Sequence, residues 1–209
     1  MKFVNMPLAY HHKAYKPLCT PAMDIVESQL IVMACSRFEK SEVLEIGTQY
    51  GDTTTNMARV VKLLGGKIVT VDVKSSPATI PYIQRDDCRP EAEIGRNIPD
   101  ELRGCITQVL IDPNDPNNLS VALDKFDGRM WDVVFIDGDH SYEGVKHDYI
   151  SVMQRVSERG IILFHDVWWD VEPPPVDGPL RLMRELEGCV LNLTHLGCLG
   201  NHPGRFFYP

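Results

Sequence analysis

From Glu42 onward, short apolar runs alternate with amphipathic stretches. Glu42–Thr48 (EVLEIGT), Lys67–Val73 (KIVTVDV), Ile106–Ile111, Trp131–Ile136 (WDVVFI) and Gly160–His165 (GIILFH) read as strands, and WDVVFI is apolar enough to be buried on both faces. Between them the spacing predicts helices over Thr53–Leu64, closed by Gly65 and Gly66, over Leu119–Phe126 and over Tyr142–Arg159. A further helix is expected from Pro21 to Phe38, opened by Thr20 or Pro21. The polar stretch Lys74–Gly104 should hold one helix near Pro90–Ile98, and another is expected near Pro179–Leu186. The last two strands are expected near Val190–Leu196 and Gly204–Tyr208. Residues 1–20 show little periodicity and contain Pro7 and Pro17, so they read as an arm or lid, with residues 21–209 forming one domain.

Strands alternating with helices imply an α/β fold: a Rossmann-like, doubly wound, mostly parallel seven-stranded sheet with helices on both faces. In such sheets ligands bind beyond the carboxyl ends of the strands, at the switch point. That rule selects Gly47–Gly51, Asp72, Asp112, Asp137–His140 and His165–Asp166, which are the polar or glycine-bearing ends of apolar runs.

Composition narrows the functions. A chain of 209 residues, 44% hydrophobic and 24% charged, has the makeup of a globular domain. The net charge of −8, with Lys and Arg scattered, argues against nucleic acid as a partner. The six cysteines form no CxxC pair, which argues against a zinc ribbon and suits reduced thiols in a cytoplasmic protein. No apolar run is long enough for a membrane span, and the N-terminus lacks the apolar centre of a signal peptide. The arm and the tail after Val190 are the surfaces on which a homodimer could form.

The first strand ends in Glu45-Ile46-Gly47-Thr48-Gln49-Tyr50-Gly51. Glycine at 47 lets backbone approach a ligand, and Gly51 leads into a helix whose first turn offers free N–H groups. The GxxxG spacing is not the GxGxxG of a pyrophosphate-binding turn, which argues against a dehydrogenase. Asp72, ending the second strand, is placed to accept hydrogen bonds from ribose hydroxyls. Asp112, ending the third, could receive an adenine amino group. Taken singly, each of these acids is more often a turn former or helix cap, and Gly47 a turn glycine; their succession at consecutive strand ends carries the nucleoside reading.

VLEIGTQYGDTT resembles the first motif of class I S-adenosylmethionine-dependent methyltransferases. IDPNDP, then FIDGDHSYEGVKHDY, then GIILFHDVWW are similar to a subgroup of small metal-dependent O-methyltransferases. That subgroup includes relatives of the cephalosporin hydroxylase-associated and macrolide-sugar enzymes. The likeness spans about residues 40–170. It implies S-adenosylmethionine held at Glu45, Gly47, Asp72 and Asp112, with Thr48 and Gly51 of the same turn and Asp137 beside them. It also implies a divalent metal, magnesium by preference, ligated by Asp137 and the His165–Asp166 pair, and a small hydroxylated acceptor such as a sugar or natural product.

The residues support a metal on their own terms. Neighbouring parallel strands lie about 4.8 Å apart, so adjacent fourth and fifth strands would bring Asp137 and Asp166 together. Two carboxylates about 4 Å apart repel by roughly 1 kcal/mol in water and about 4 at an effective dielectric of 20. A bound dication removes that conflict. Oxygen ligands suit magnesium, whereas His165 as a nitrogen ligand shifts the preference toward manganese, iron or another transition metal; alternatively His165 stands behind the ligands. His140 is the expected general base, its unperturbed pKa lying near 6.5. It occupies the position where catechol-type relatives carry a lysine; Lys146 and His147 on the following helix are weaker candidates. Blander readings stand alongside: Asp139 or Ser141 caps the next helix, His140 bonds a loop carbonyl, and His147 with Asp148 forms a solvated helix face. Trp168 and Trp169 are either packing or a substrate wall. Two rivals remain, a metal-dependent hydrolase using the Asp/His cluster and a cofactor-binding subunit without turnover.

Overall fold

A computed structural model describes residues 25–74, 93–115, 118–167, 177–186, 189–190 and 196–200. The elements run α1 (Ile25–Cys35), β1 (Glu42–Ile46), α2 (Asp52–Leu63), β2 (Lys67–Val73), α3 (Asp100–Arg103), β3 (Ile106–Ile111), α4 (Asn118–Asp124), β4 (Trp131–Ile136), α5 (Tyr142–Val152), β5 (Val156–Phe164), α6 (Gly178–Glu185), β6 (Cys189–Val190) and β7 (Gly197–Gly200). The sheet order is β3-β2-β1-β4-β5-β7-β6. The first five strands pair in parallel, and β7 runs antiparallel to both β5 and the two-residue β6. The chain is therefore the expected doubly wound α/β fold, with β1 and β4 flanking the switch point.

Side-chain alternation along each strand builds two cores, one on each face. Val43, Val133, Phe135, Ile161 and Leu163 pack with Ile31, Cys35, Met57 and Val61 of α1 and α2. Leu44, Val134, Ile136, Ile162 and Phe164 pack on the other face with Leu119, Leu123, Val145, Leu182 and Met183 of α4, α5 and α6. No described helix is long and apolar enough to cross a membrane.

Several boundaries differ from the sequence reading. The helix expected to run to Arg159 stops at Val152, and a 3₁₀ turn over Met153–Arg155 leads into β5 at Val156. Val156 pairs with Trp131, and a register shift before Val133 accommodates the exposed Glu158 and Arg159. Gly160 is needed there, since a Cβ would stand 2.7 Å from the Trp131 carbonyl oxygen. Within 93–98 the chain forms turns rather than an α-helix, and the helix comes later, at Asp100–Arg103. The last described strands are Cys189–Val190 and Gly197–Gly200. The expectations for residues 1–20, for Trp168 and Trp169 and for a strand at Gly204–Tyr208 lie outside the described residues.

Candidate active site

Glu45, Asp137 and His165 share the strand parity of Val43, Phe135 and Leu163, so all three belong to the face covered by α1 and α2. In register, Glu45 pairs with Phe135 and Phe135 with Leu163. Asp137 and His165, each two residues further, thus form the next row beyond the sheet's carboxyl edge. Asp166 would point to the opposite face if β5 simply continued. Its left-handed backbone, φ 56°, breaks the alternation and returns its carboxylate to His165 and His140. Aspartate tolerates that conformation better than most residues, and such departures often cluster at functional sites.

Four side chains converge. His140 Nε2 lies 2.9 Å from Asp166 Oδ2 and 3.3 Å from Asp137 Oδ1. His165 Nδ1 lies 3.1 Å from Asp137 Oδ1 and 3.4 Å from Asp166 Oδ1. One ligand atom from each of the four residues lies within 4.8 Å of every other. The set of two carboxylates and two imidazoles suits one divalent ion. His140, expected only as a base, is part of it.

The electrostatics of the cluster couple its four side chains. Burial disfavours the charge on His140, but hydrogen bonds to Asp137 and Asp166 outweigh it and push its pKa up to about 10. Burial opposes His165 likewise, yet Asp137, Asp166 and Glu27 push it up to about 12. Both imidazoles are therefore cationic at neutral pH and balance the carboxylates. Asp166 sits well below the usual carboxylate range: burial raises it, and the bonds from His140 and His165 overcome that. Asp137 is lowered too, His165 outweighing burial.

The loop behind the cluster is tightly held. Asp139 Oδ1 accepts from Ser141 N at 2.8 Å, while Ser141 Oγ accepts from Gly144 N at 3.0 Å, so Ser141 and not Asp139 caps α5. Asp148, expected on a solvated face, is buried. Its Oδ2 lies where a Cβ on Gly138 would be only 3.1 Å away, and desolvation raises its pKa.

The turn after β1 abuts this site. Gly47 has φ +99°, and a Cβ on it would stand 2.1 Å from the Asp137 carbonyl oxygen. Gly51, φ +87°, precedes α2, and a Cβ there would strike Ile98. The segment around Gly95 straps this turn: Gly95 N donates to Gln49 O and Asn97 N to Tyr50 O, both at 2.8 Å. Asp72 Oδ2 accepts from Gln49 N and Oδ1 from Val73 N, each at 2.7 Å. A carboxylate has about four acceptor sites, so these bonds fix it without exhausting it. Asp72 is thus tied to the Gly47–Gly51 turn through Gln49. Asp112 is exposed, and its Oδ1 accepts from Asn114 N at 2.9 Å and Nδ2 at 3.0 Å. Those bonds, the backbone one first, lower its pKa.

Two residues assigned to the cofactor have inward side chains. Glu45 is fully buried, with Oε2 accepting from Thr54 Oγ1 and, at 2.6 Å, from Thr70 Oγ1. Desolvation pushes its pKa up to about 8. Thr48 is also buried, its hydroxyl 2.6 Å from that of Thr70. Both side chains lie beneath the turn and support it through Thr54 and Thr70. The sequence reading also passed over Glu27, which α1 places 3.6 Å from His165 Nε2. The signal was available: Glu27, Ile31 and Cys35 are four apart, and the latter two are core residues.

A family model described as a methyltransferase domain matches residues 44–167, more than half of the chain. A comparison with curated proteins finds no match. Among solved structures, the O-methyltransferase TomG of Streptomyces achromogenes, involved in tomaymycin synthesis and bound to SAM, is similar at 15% identity and TM-score 0.57, covering 92% of this chain and 88% of that one. An O-methyltransferase from Bacillus cereus in complex with SAH is 15% identical with TM-score 0.59, covering 90% and 86%. MycE, a methyltransferase of the mycinamycin biosynthetic pathway in complex with Mg, SAH and mycinamycin VI, is 15% identical with TM-score 0.57; 92% of this chain matches 54% of that one.

Proposed function

Since this chain belongs to the methyltransferase-domain family, we propose that it moves a methyl group from S-adenosylmethionine to a hydroxyl of a small molecule, assisted by a divalent cation. The supporting observation is the convergence of Asp137, His140, His165 and Asp166 at the ends of β4 and β5, against the Gly47 turn at the end of β1. The metal-dependent hydrolase reading uses the cluster but leaves that turn and Asp72 without a role.

The residues fit both groups. Gly47 and Gly51 add no side chain at either end of the turn, Asp72 presents a fixed carboxylate, and α2 follows with its first-turn N–H groups. Asp137, His165 and Asp166 supply the metal donors, with His140 closing the fourth side. Bound there, S-adenosylmethionine supplies an electrophilic methyl carbon, and the cation a Lewis acid that lowers the acceptor hydroxyl's pKa.

The chain's own tasks are orientation and proton handling. Asp72 and the Gly47–Gly51 turn hold the donor at the edge of β1 and β2. The cluster fixes the acceptor oxygen beside it, and bringing reactants to near-attack distance, about 3 Å, is worth several kcal/mol. With the acceptor hydroxyl's proton passing to solvent, His140 Nε2 would join the donors once its own proton has left. Asp137 and Asp166 retain that proton in the metal-free site, and positive charge placed between them acts against its retention. Magnesium suits the two carboxylates; the imidazoles favour manganese or iron.

Incubation with methyl-labelled S-adenosylmethionine, Mg²⁺ or Mn²⁺ and a panel of hydroxylated sugars and natural products tests this reading. Label should appear on an acceptor oxygen and vanish with chelator. Cofactor binding with silence across the panel would favour a non-catalytic subunit instead.

A further inference from the structure

The site extends beyond the segment matched by the family model. Glu27 lies on α1, outside residues 44–167. It is 3% exposed, in a helix whose inward face otherwise packs Ile31, Ala34 and Cys35 into the core. Burying a carboxylate in such surroundings is costly unless a cation faces it. His165, 7% exposed, does so, with Nε2 3.6 Å from Glu27 Oε2. The opposite ring nitrogen, Nδ1, faces Asp137 and Asp166 at 3.1 and 3.4 Å. One imidazole therefore spans from a helix carboxylate to the cluster, with its two nitrogens given different partners.

We propose that Glu27 is a positioning residue: its carboxylate faces the Nε2 side of His165 at ion-pair distance, so that Nδ1 is the nitrogen presented to a cation between Asp137 and Asp166. The proposal rests on the metal-dependent reading above. A carboxylate behind a ligating imidazole fixes the ring's tautomer and rotation and raises its basicity. Here it also anchors α1 to the end of β5, so the helix preceding the matched domain takes part in building the site.

The test is Co²⁺ binding to the full chain, followed by visible absorption, for wild type, Glu27→Gln, Glu27→Ala and Asp137→Asn, with S-adenosylhomocysteine affinity measured on each. Gln keeps an acceptor for Nε2–H but loses the charge; Ala loses both. The expected order of Co²⁺ affinity is wild type, then Glu27→Gln, then Glu27→Ala, with a total loss of about 10- to 100-fold, the usual effect of removing such a partner. S-adenosylhomocysteine affinity should hardly move. In Zn²⁺-loaded wild type, ¹⁵N NMR should show His165 protonated at Nε2, with that preference weakened in Glu27→Ala. If Co²⁺ affinity falls in Asp137→Asn but not in either Glu27 variant, or falls only in step with S-adenosylhomocysteine affinity, the positioning role is overturned and the metal reading stands. If wild type binds no Co²⁺, both fall.

Discussion

His140 Nε2 stands 2.9 Å from Asp166 Oδ2 and so joins the loop after β4 to the end of β5. The imidazolium, with that of His165, occupies the electrostatic place a metal ion would take. Metal binding must then displace protons. Adding Mn²⁺ to the metal-free protein at pH 7 should release about one or two protons per ion, as metal affinity and protonation are linked. A pH-indicator dye in weakly buffered solution measures this. Binding without release would mean that the imidazoles are not ligands.

The donor set also bears on the choice of ion. Two nitrogens beside two carboxylates should make Mn²⁺ or Co²⁺ bind more tightly than Mg²⁺. Competition titrations read the order directly. Asp137→Asn should abolish metal-dependent turnover while leaving S-adenosylhomocysteine affinity little changed. Metal-dependent turnover that persists in this variant would remove Asp137 from the ligand set.

Asp72 presents the opposite case. Asp72→Ala should weaken S-adenosylhomocysteine binding by about tenfold or more, since hydrogen bonds to a charged group are worth roughly 1.5–3 kcal/mol. Metal affinity should be spared. Asp72→Asn, which keeps an acceptor for Gln49 N–H, separates the ribose contact from support of the turn. Unchanged affinity in both variants would refute the ribose role.

Glu45 makes stability depend on pH. Its pKa rises from 4.5 in the unfolded chain to about 8 in the fold, because burial penalises the charge. A raised folded-state pKa gives a contribution fully present below about pH 4.5 and lost as pH rises through about 8. Glu45→Gln cannot ionise and should flatten the stability–pH curve across that window. Urea melts at several pH values provide the check, and an unchanged slope would show that Glu45 is not the titrating group.

Gly47 tolerates no side chain. Gly47→Ala combines a positive φ with a Cβ 2.1 Å from the Asp137 carbonyl oxygen. Backbone strain of this kind costs about 1–3 kcal/mol, before the clash is counted. Both S-adenosylhomocysteine and metal affinity should suffer, because the substitution pushes the two sites apart. Loss of only one would show that the halves move independently.

Much of this was legible in the chain. Five of the strands reveal themselves as apolar runs ending in acids or glycines, and the switch-point rule turns those endings into a site. Strand adjacency suggests that Asp137 meets Asp166, but the register places His165 in that row, and only the left-handed backbone at Asp166 returns its carboxylate to the cluster. What stayed hidden depends on contacts distant in sequence. The change from helix to strand at Val156 is driven by pairing with Trp131, which local periodicity does not encode. The burial of Glu45 and Thr48 is not read along the motif, because it is decided across the sheet by Thr70. His140 has an ordinary pKa until two carboxylates surround it. Glu27 was discernible as a charge on an apolar helical face, but its partner lies at the far end of the domain's sequence.

The contact of Gly47 with the Asp137 backbone joins the two reacting halves through paired strands of one sheet rather than across a hinge. Under the proposed reaction, the distance between methyl donor and acceptor oxygen would be written into the β1–β4 pairing, and loops could diverge to admit new acceptors without disturbing the line of attack.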